Sequence, residues 1–287
     1  MRHKMYCKHF MTLFGDYMKI CIIGNSKRLN VLKQNIENTS HDVTLYENEA
    51  DIPKEISADI IVLPIPTLNR DGNLNIESVS KISADELIKR IKPDSLIISC
   101  GYTNTKRTVV DLNLREDFAY LNAVPTAEGA IFYALSNIDR SLFECNILIT
   151  GFGRVAKVLA DRLKSLCNTV TISARSQKDL AYAKALNFKT VNLSGIKDNI
   201  SDFDLIFQTV PAKIITDEII DKMRSDTVIV ELSSKSVGTD FEYAANKKIK
   251  VVHAPALPEK IAPITAGNIL TRSVLSIITE QNFRSDM

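Results

Sequence analysis

The chain lacks cysteine pairs. Its five cysteines, at positions 7, 21, 100, 145 and 167, stand at no spacing that suggests a disulfide or a zinc site. Cys21, Cys100 and Cys145 adjoin short apolar runs, so buried free thiols of a reducing, cytoplasmic compartment are expected. Histidine is scarce, with four scattered residues, which argues against a catalytic metal. No apolar run approaches the roughly 18 residues of a membrane span. A net charge of +2 gives no electrostatic case for a nucleic-acid partner. The first 17 residues, MRHKMYCKHFMTLFGDY, have neither a long apolar centre nor a small-residue cleavage site. They read as an extension, not a signal peptide. His3, Cys7 and His9 within that arm would make only a weak metal site.

What is present is an ordinary globular composition, 45% apolar and 24% charged over 287 residues, long enough for two modest domains. Two strand–helix series follow each other. The first predicts strands near 19–23, 42–46, 59–63 and 95–99, helices at 27–38 and 83–90, and a loop or small hairpin at PIPTLNRDGNLNI. The second predicts strands at 146–150, 169–174, 189–192, 204–208, 227–232 and 249–253, with helices at 153–166, 177–186 and 217–223. Strands this apolar, separated by helices, indicate parallel sheets covered on both faces. The segment PTAEGAIFYALSNID, 125–139, reads as a helix leading into the second series, and a last helix spans about 264–281. The expectation is an α/β chain of two parallel-sheet domains, 18–125 and 126–263, followed by a C-terminal helix at 264–287.

The strongest motif is NILITGFGRVAKVLADRLKS. An apolar strand enters Gly151-Phe152-Gly153-Arg154-Val155-Ala156 and a helix follows at once. The first glycine permits the tight turn, the second lets a pyrophosphate approach backbone N–H groups, and the small third residue lets helix and strand pack closely. The diphosphate then meets the helix N-terminus. The next strand ends in Ala174, Arg175 and Ser176, where an NAD-binding unit usually carries an acid for the ribose hydroxyls. A guanidinium and a hydroxyl suit a 2′-phosphate instead, so NADP(H) is expected, with NAD possible if Arg175 only covers the adenine.

Other strand ends supply further candidates. Thr209, Val210 and Pro211 are expected along the ribose and nicotinamide, with Ser233 beside them. Lys235 suits a carboxylate substrate or is a solvated surface lysine, and Asp240 suits a helix N-cap. His253 stands at the end of the last strand as a candidate proton carrier, without an assignable acid partner. In the first series Asn25, Ser26 and Arg28, and likewise Gly101, Tyr102 and Asn104, either hold a substrate or cap helices.

The order KICIIGNSKR, VLPIP, NAVPTAEGAI, GFGRVAK, SARS, TVPAKI, LSSKSVGTDFEYA and APALPEKIAPITAG resembles the A-subunit family of dipicolinate synthase, over about residues 18 to 283. The resemblance implies a flavodoxin-like first domain and a Rossmann domain, with the last helix returning to the first. It also implies a cytoplasmic enzyme of the mother cell in a sporulating bacterium, on the lysine/diaminopimelate branch. The enzyme would oxidise dihydrodipicolinate or its hydroxylated precursor to dipicolinate with a nicotinamide nucleotide. Its partners would be further copies of itself and a flavoprotein-like B subunit. The family's cofactor turn falls on Gly151, Gly153 and Ala156, and its Arg-Ser pair on Arg175 and Ser176.

This chain departs from the family at Asn25-Ser26, where an acid is frequent, at Lys235-Ser236, where Arg-Pro is usual, and at APALPE, where APGLPG is usual. The charge at 235 is kept. The family need not have histidine at 253. Two other functions remain compatible with these residues: a stand-alone 2-hydroxyacid or amino-acid type dehydrogenase, and a non-catalytic NADP(H)-binding subunit that orders a flavin-like partner.

Overall fold

The computed structural model describes residues 17–76, 82–104, 106–233 and 238–285. The arm up to residue 16, with His3, Cys7 and His9, lies outside the described residues, as do Ser234, Lys235 and Ser236. The chain forms two compact units. One runs to Leu121 and resumes at Ala262; the other is Asn122–Ile261.

The first unit contains β1 (Lys19–Ile23), α1 (Lys27–Glu37), β2 (Asp42–Tyr46), β3 (Ile60–Val62), α2 (Ala84–Lys89), β4 (Leu96–Ser99) and β5 (Val109–Asp111). Its strands are all parallel, in the order β2-β1-β3-β4-β5. That is the flavodoxin-like winding. Four of the five residues of β1 are buried, as an interior strand covered on both faces requires. A capping box starts α2: Glu86 N–H donates to the Ser83 hydroxyl, and Ser83 N–H donates to the Glu86 carboxylate. Strand β5 has no counterpart in the sequence reading, because three half-buried residues at a sheet edge carry too short a pattern.

Helix α3 (Glu116–Leu135) carries the chain from the first unit into the second. It starts nine residues before the expected helix at 125 and holds Pro125 in its interior. Pro125 has no N–H to donate to the carbonyl of Leu121 and normally disfavours such a position. The helix persists because apolar positions on both sides of the proline are buried: Phe118 and Ala123 before it, Ala127, Ala130 and Ala134 after it.

The second unit contains β6 (Asn146–Thr150), α4 (Arg154–Leu163), β7 (Thr169–Ala174), α5 (Gln177–Ala185), β8 (Lys189–Asn192), α6 (Ile196–Asn199), β9 (Leu205–Gln208), α7 (Asp217–Ile220), β10 (Val228–Glu231), α8 (Phe241–Asn246), β11 (Lys250–His253) and α9 (Leu257–Ile261). All six strands are parallel, in the order β11-β10-β9-β6-β7-β8. Counted within the unit this is the 3-2-1-4-5-6 order of a dinucleotide-binding fold, whose winding reverses between β6 and β9.

The last helix, α10 (Pro263–Ser285), belongs to the first unit and packs on α1. Ile269, Leu270, Val274, Ile277 and Ile278 join Leu29, Leu32 and Ile36 in one apolar cluster. Asn35 Nδ2 donates to Asn268 Oδ1 at 2.9 Å and to Thr271 Oγ1 at 3.0 Å. Gly267 makes the close approach possible, since a Cβ there would lie 2.4 Å from Val31 Cβ. The helix therefore returns to the first domain, as the family resemblance implies. Among the described residues no helix is long and apolar enough to cross a membrane, and no group of His, Cys, Asp or Glu is arranged to hold a metal. Cys21, Cys100 and Cys145 are buried free thiols, and burial pushes Cys21 up to about 12.

Candidate functional site: a nucleotide cradle at the ends of β6, β7 and β9

Gly151 leaves β6 with φ +84°, a conformation that L side chains rarely adopt. Its N–H donates to Ser173 O at 2.6 Å, tying the turn to β7. A Cβ at Gly151 would lie 2.8 Å from Val210 Cγ2 and 3.0 Å from Thr209 Oγ1. Gly153 is the N-cap of α4 and has no side-chain cap, and a Cβ there would meet nothing within 4 Å. Open space therefore lies at the start of a helix, the arrangement a pyrophosphate uses. Ala156 is fully buried beneath the turn. The Phe152 side chain is buried among Tyr182 and Phe188 and offers the cradle only its backbone. Arg154 and Val155 form the half-buried first turn of α4.

Past the ends of β7, β8 and β9 a cavity of about 410 Å³ is lined by Arg175, Asn192, Leu193, Ser194, Lys213 and Ile214. Ala174, at the end of β7, is buried, and Arg175 beyond it is exposed with no hydrogen-bond or ion-pair partner among the described residues. Ser176 caps α5, its Oγ accepting from Asp179 N–H at 3.3 Å, so its own O–H remains available to donate. No carboxylate lines the cavity.

Between the loops lies a buried polar hub that the sequence reading missed. Gln208, at the end of β9, is fully buried. Its Oε1 accepts from the Thr150 hydroxyl and from Val210 N–H, and its Nε2 donates to Val210 O at 3.1 Å and Ala212 O at 3.3 Å. Thr209 Oγ1 donates to Thr150 O at 2.6 Å. One amide thus fixes the Thr209-Val210-Pro211 loop against the glycine turn. Glu231, also fully buried, accepts from Ser233 N–H at 3.1 Å and from the Thr239 hydroxyl at 2.8 Å. Lone polar residues at strand ends look like breaks in an apolar run, so nothing in the sequence marked them. Asp240 caps α8 as expected, accepting from Tyr243 N–H at 3.1 Å.

His253 ends β11, at the edge of the sheet, with its ring edge-on to Phe241 at 6.2 Å. In the first unit Asn25 is exposed, Ser26 caps α1 without a side-chain cap bond, and Arg28 is 4% exposed. The Ser26 hydroxyl oxygen is buried with no hydrogen-bond partner among the described residues. Arg28 lies near the Cys100 thiol, which burial and then Asp111 push up to about 12 against the opposing arginine charge. These groups meet at the C-terminal edge of the first sheet. Gly101, Tyr102 and Asn104 are committed elsewhere: Gly101 N–H donates to Asp111, while Tyr102 and Asn104 both hydrogen-bond Asp85.

No family model matches the chain. The A subunit of dipicolinate synthase from Bacillus subtilis (strain 168) is 28% identical over 293 residues, covering 92% of this chain and 96% of that protein. The crystal structure of the dipicolinate synthase A subunit from Bacillus halodurans has a TM-score of 0.77 at 28% identity, over 91% of this chain and 97% of that one. The dipicolinate synthase A chain from Bacillus subtilis has a TM-score of 0.82 at 26% identity, over 95% and 99%. The chain is a homologue of the dipicolinate synthase A subunit. Both units take part in that likeness, so the shared architecture extends beyond the second unit.

Proposed function

We propose that this chain is the nicotinamide-dependent A subunit of a dipicolinate synthase, which forms pyridine-2,6-dicarboxylate from dihydrodipicolinate or its hydroxylated precursor during sporulation. The observation that carries the reading is the pairing of that homology with a cradle fit for a phosphorylated dinucleotide. Gly153 opens at a helix N-terminus, and Arg175 stands unpaired among the described residues at the end of the neighbouring strand β7. The nucleotide, NADP in preference to NAD, supplies the hydride acceptor that aromatisation of the ring requires.

The residues of this chain bind and orient. Gly151, Phe152, Gly153, Arg154, Val155 and Ala156 hold the diphosphate through backbone, Arg175 and Ser176 hold the adenosine phosphate, and Thr209, Val210, Pro211 and Ser233 flank the ribose and nicotinamide. Asn25, Ser26, Arg28 and Lys235 serve the two ring carboxylates, the buried Arg28 supplying a fixed positive charge. Aromatisation is itself driving, so positioning outweighs acid–base help, and His253 is the weaker of the two catalytic candidates beside Lys235. The partner is a flavoprotein-like B subunit, and the A subunit forms homo-oligomers in the cytoplasm of the mother cell.

The test is dipicolinate formation from the lysine-pathway precursor, with oxidised NADP, by this chain alone and with its B subunit. Reduced nucleotide appearing in step with dipicolinate supports the reading. Dipicolinate formed without nucleotide reduction removes it.

A further inference from the structure

The cavity past the ends of β7, β8 and β9 has cations on two walls, only one of which the sequence had assigned. Arg175 follows β7, whereas Lys213 comes from the loop after β9. We propose that Lys213 is a second phosphate-reading residue, which together with Arg175 brackets the 2′-phosphate of the bound nucleotide. This rests on the NADP(H) reading above and adds to it a residue that sets specificity.

The charge balance favours such a ligand. A phosphate monoester carries about −1.5 to −2 at neutral pH, and one exposed arginine balances only part of that. Lys213 Nζ donates to Asp240 Oδ2 at 2.7 Å, and this uses one of its three donors. Asp240 itself is anchored, because its Oδ1 caps α8. The loop bearing Lys213 is pinned as well: Ile214 and Ile215 N–H both donate to Gly238 O at 2.9 Å, and Asp240 N–H donates to Ile215 O at 2.9 Å. The ammonium is therefore held in place by a carboxylate that is not part of the cavity wall. Asn192 Oδ1 is taken by Ser194 N–H and Oγ, which leaves the Asn192 amide NH₂ without a partner among the described residues. A ribose diol would want an acceptor carboxylate here, and none lines the cavity.

The experiment is calorimetric titration of the full chain with adenosine 2′,5′-bisphosphate and adenosine 5′-monophosphate. Lys213→Met should weaken the bisphosphate about tenfold and the monophosphate less than about twofold. Lys213→Arg should restore most of the loss. Asp240→Asn, which keeps an N-capping side chain but removes the competing charge, should tighten the bisphosphate a few-fold. Equal weakening of both probes by Lys213→Met would place its contact on the part the two probes share, away from the 2′-phosphate, and overturn the inference. So would a bisphosphate preference that Arg175→Ala removes and Lys213→Met leaves intact, although the NADP(H) reading would then stand. If the unaltered chain shows no preference for the bisphosphate, both fall.

Discussion

Gln208 fills the space that a side chain at Gly238 would need: a Cβ at position 238 would lie 2.0 Å from Gln208 Nε2 and 2.6 Å from its Cγ and Cδ. Gln208 cannot retreat without releasing the Thr150 hydroxyl and the backbone of Val210 and Ala212. The loop after β9 is thereby tied to one amide at the centre of the sheet, and Gly238 packs against that amide.

Gly238→Ala should therefore cost about 1–3 kcal/mol of stability, the range for overpacking a filled interior. Combined with Gln208→Ala, the two losses should sum to clearly more than the double variant shows, because shortening the glutamine removes the clash. Urea unfolding of the two single variants and the double variant measures this. Strict additivity would mean the contact carries no energy.

Gly151→Ala meets both a positive φ and a 2.8 Å contact with Val210 Cγ2. We expect about 1–2 kcal/mol of destabilisation and a loss of dinucleotide affinity of at least about tenfold, equal for NADPH and NADH, because the diphosphate is common to both. A chain that keeps both affinities would show that the nucleotide does not use this turn.

Arg175→Ala should weaken NADPH by about tenfold or more and NADH by little, as expected for one charge-assisted contact to phosphate. Its lack of any partner among the described residues makes it a clean probe, since little of the fold depends on it. Nucleotide-fluorescence titration reads the difference, and equal losses for both nucleotides would contradict the assignment.

Arg115 forks onto Glu280 of the last helix at 2.7 and 2.8 Å and also holds Asp117. The arginine holds both carboxyls below the usual carboxylate range. A lowered folded-state value contributes stability above the ordinary carboxylate pKa, and the contribution is lost as acid protonates the folded pair. Stability should thus fall on acidification through and below about pH 4, and Arg115→Ala should flatten that fall. The effect should stay under about 1 kcal/mol, because Glu280 is half exposed and solvent screens the pair. Denaturation midpoints at neutral and acid pH, with and without Arg115, check the sign.

Strands β1, β2, β6, β7 and β8 are observed at the bounds that their apolar runs suggest, and the two sheet classes follow from the alternation with helices. Pattern reading failed where the signal was short or masked. Strand β5 has three half-buried residues, and Pro125 reads as a helix start although flanking apolar contacts carry the helix through it. The turn at Gly151 and the exposed Arg175 were visible because their chemistry is local. Gln208, Glu231 and Lys213 were not: the Gln208 and Lys213 bonds to Thr150 and Asp240 join segments distant in sequence, and the buried Glu231 ties a loop whose closure no residue pattern marks.

The central claim is most directly tested by titrating the unaltered protein with NADPH and NADH, each repeated with the lysine-pathway ring precursor present. Tight binding that favours NADPH and changes with the precursor is expected if the cradle serves oxidation of a neighbouring dicarboxylate. Failure to bind either nucleotide would reduce the GFGRVA segment to a structural turn and contradict the account.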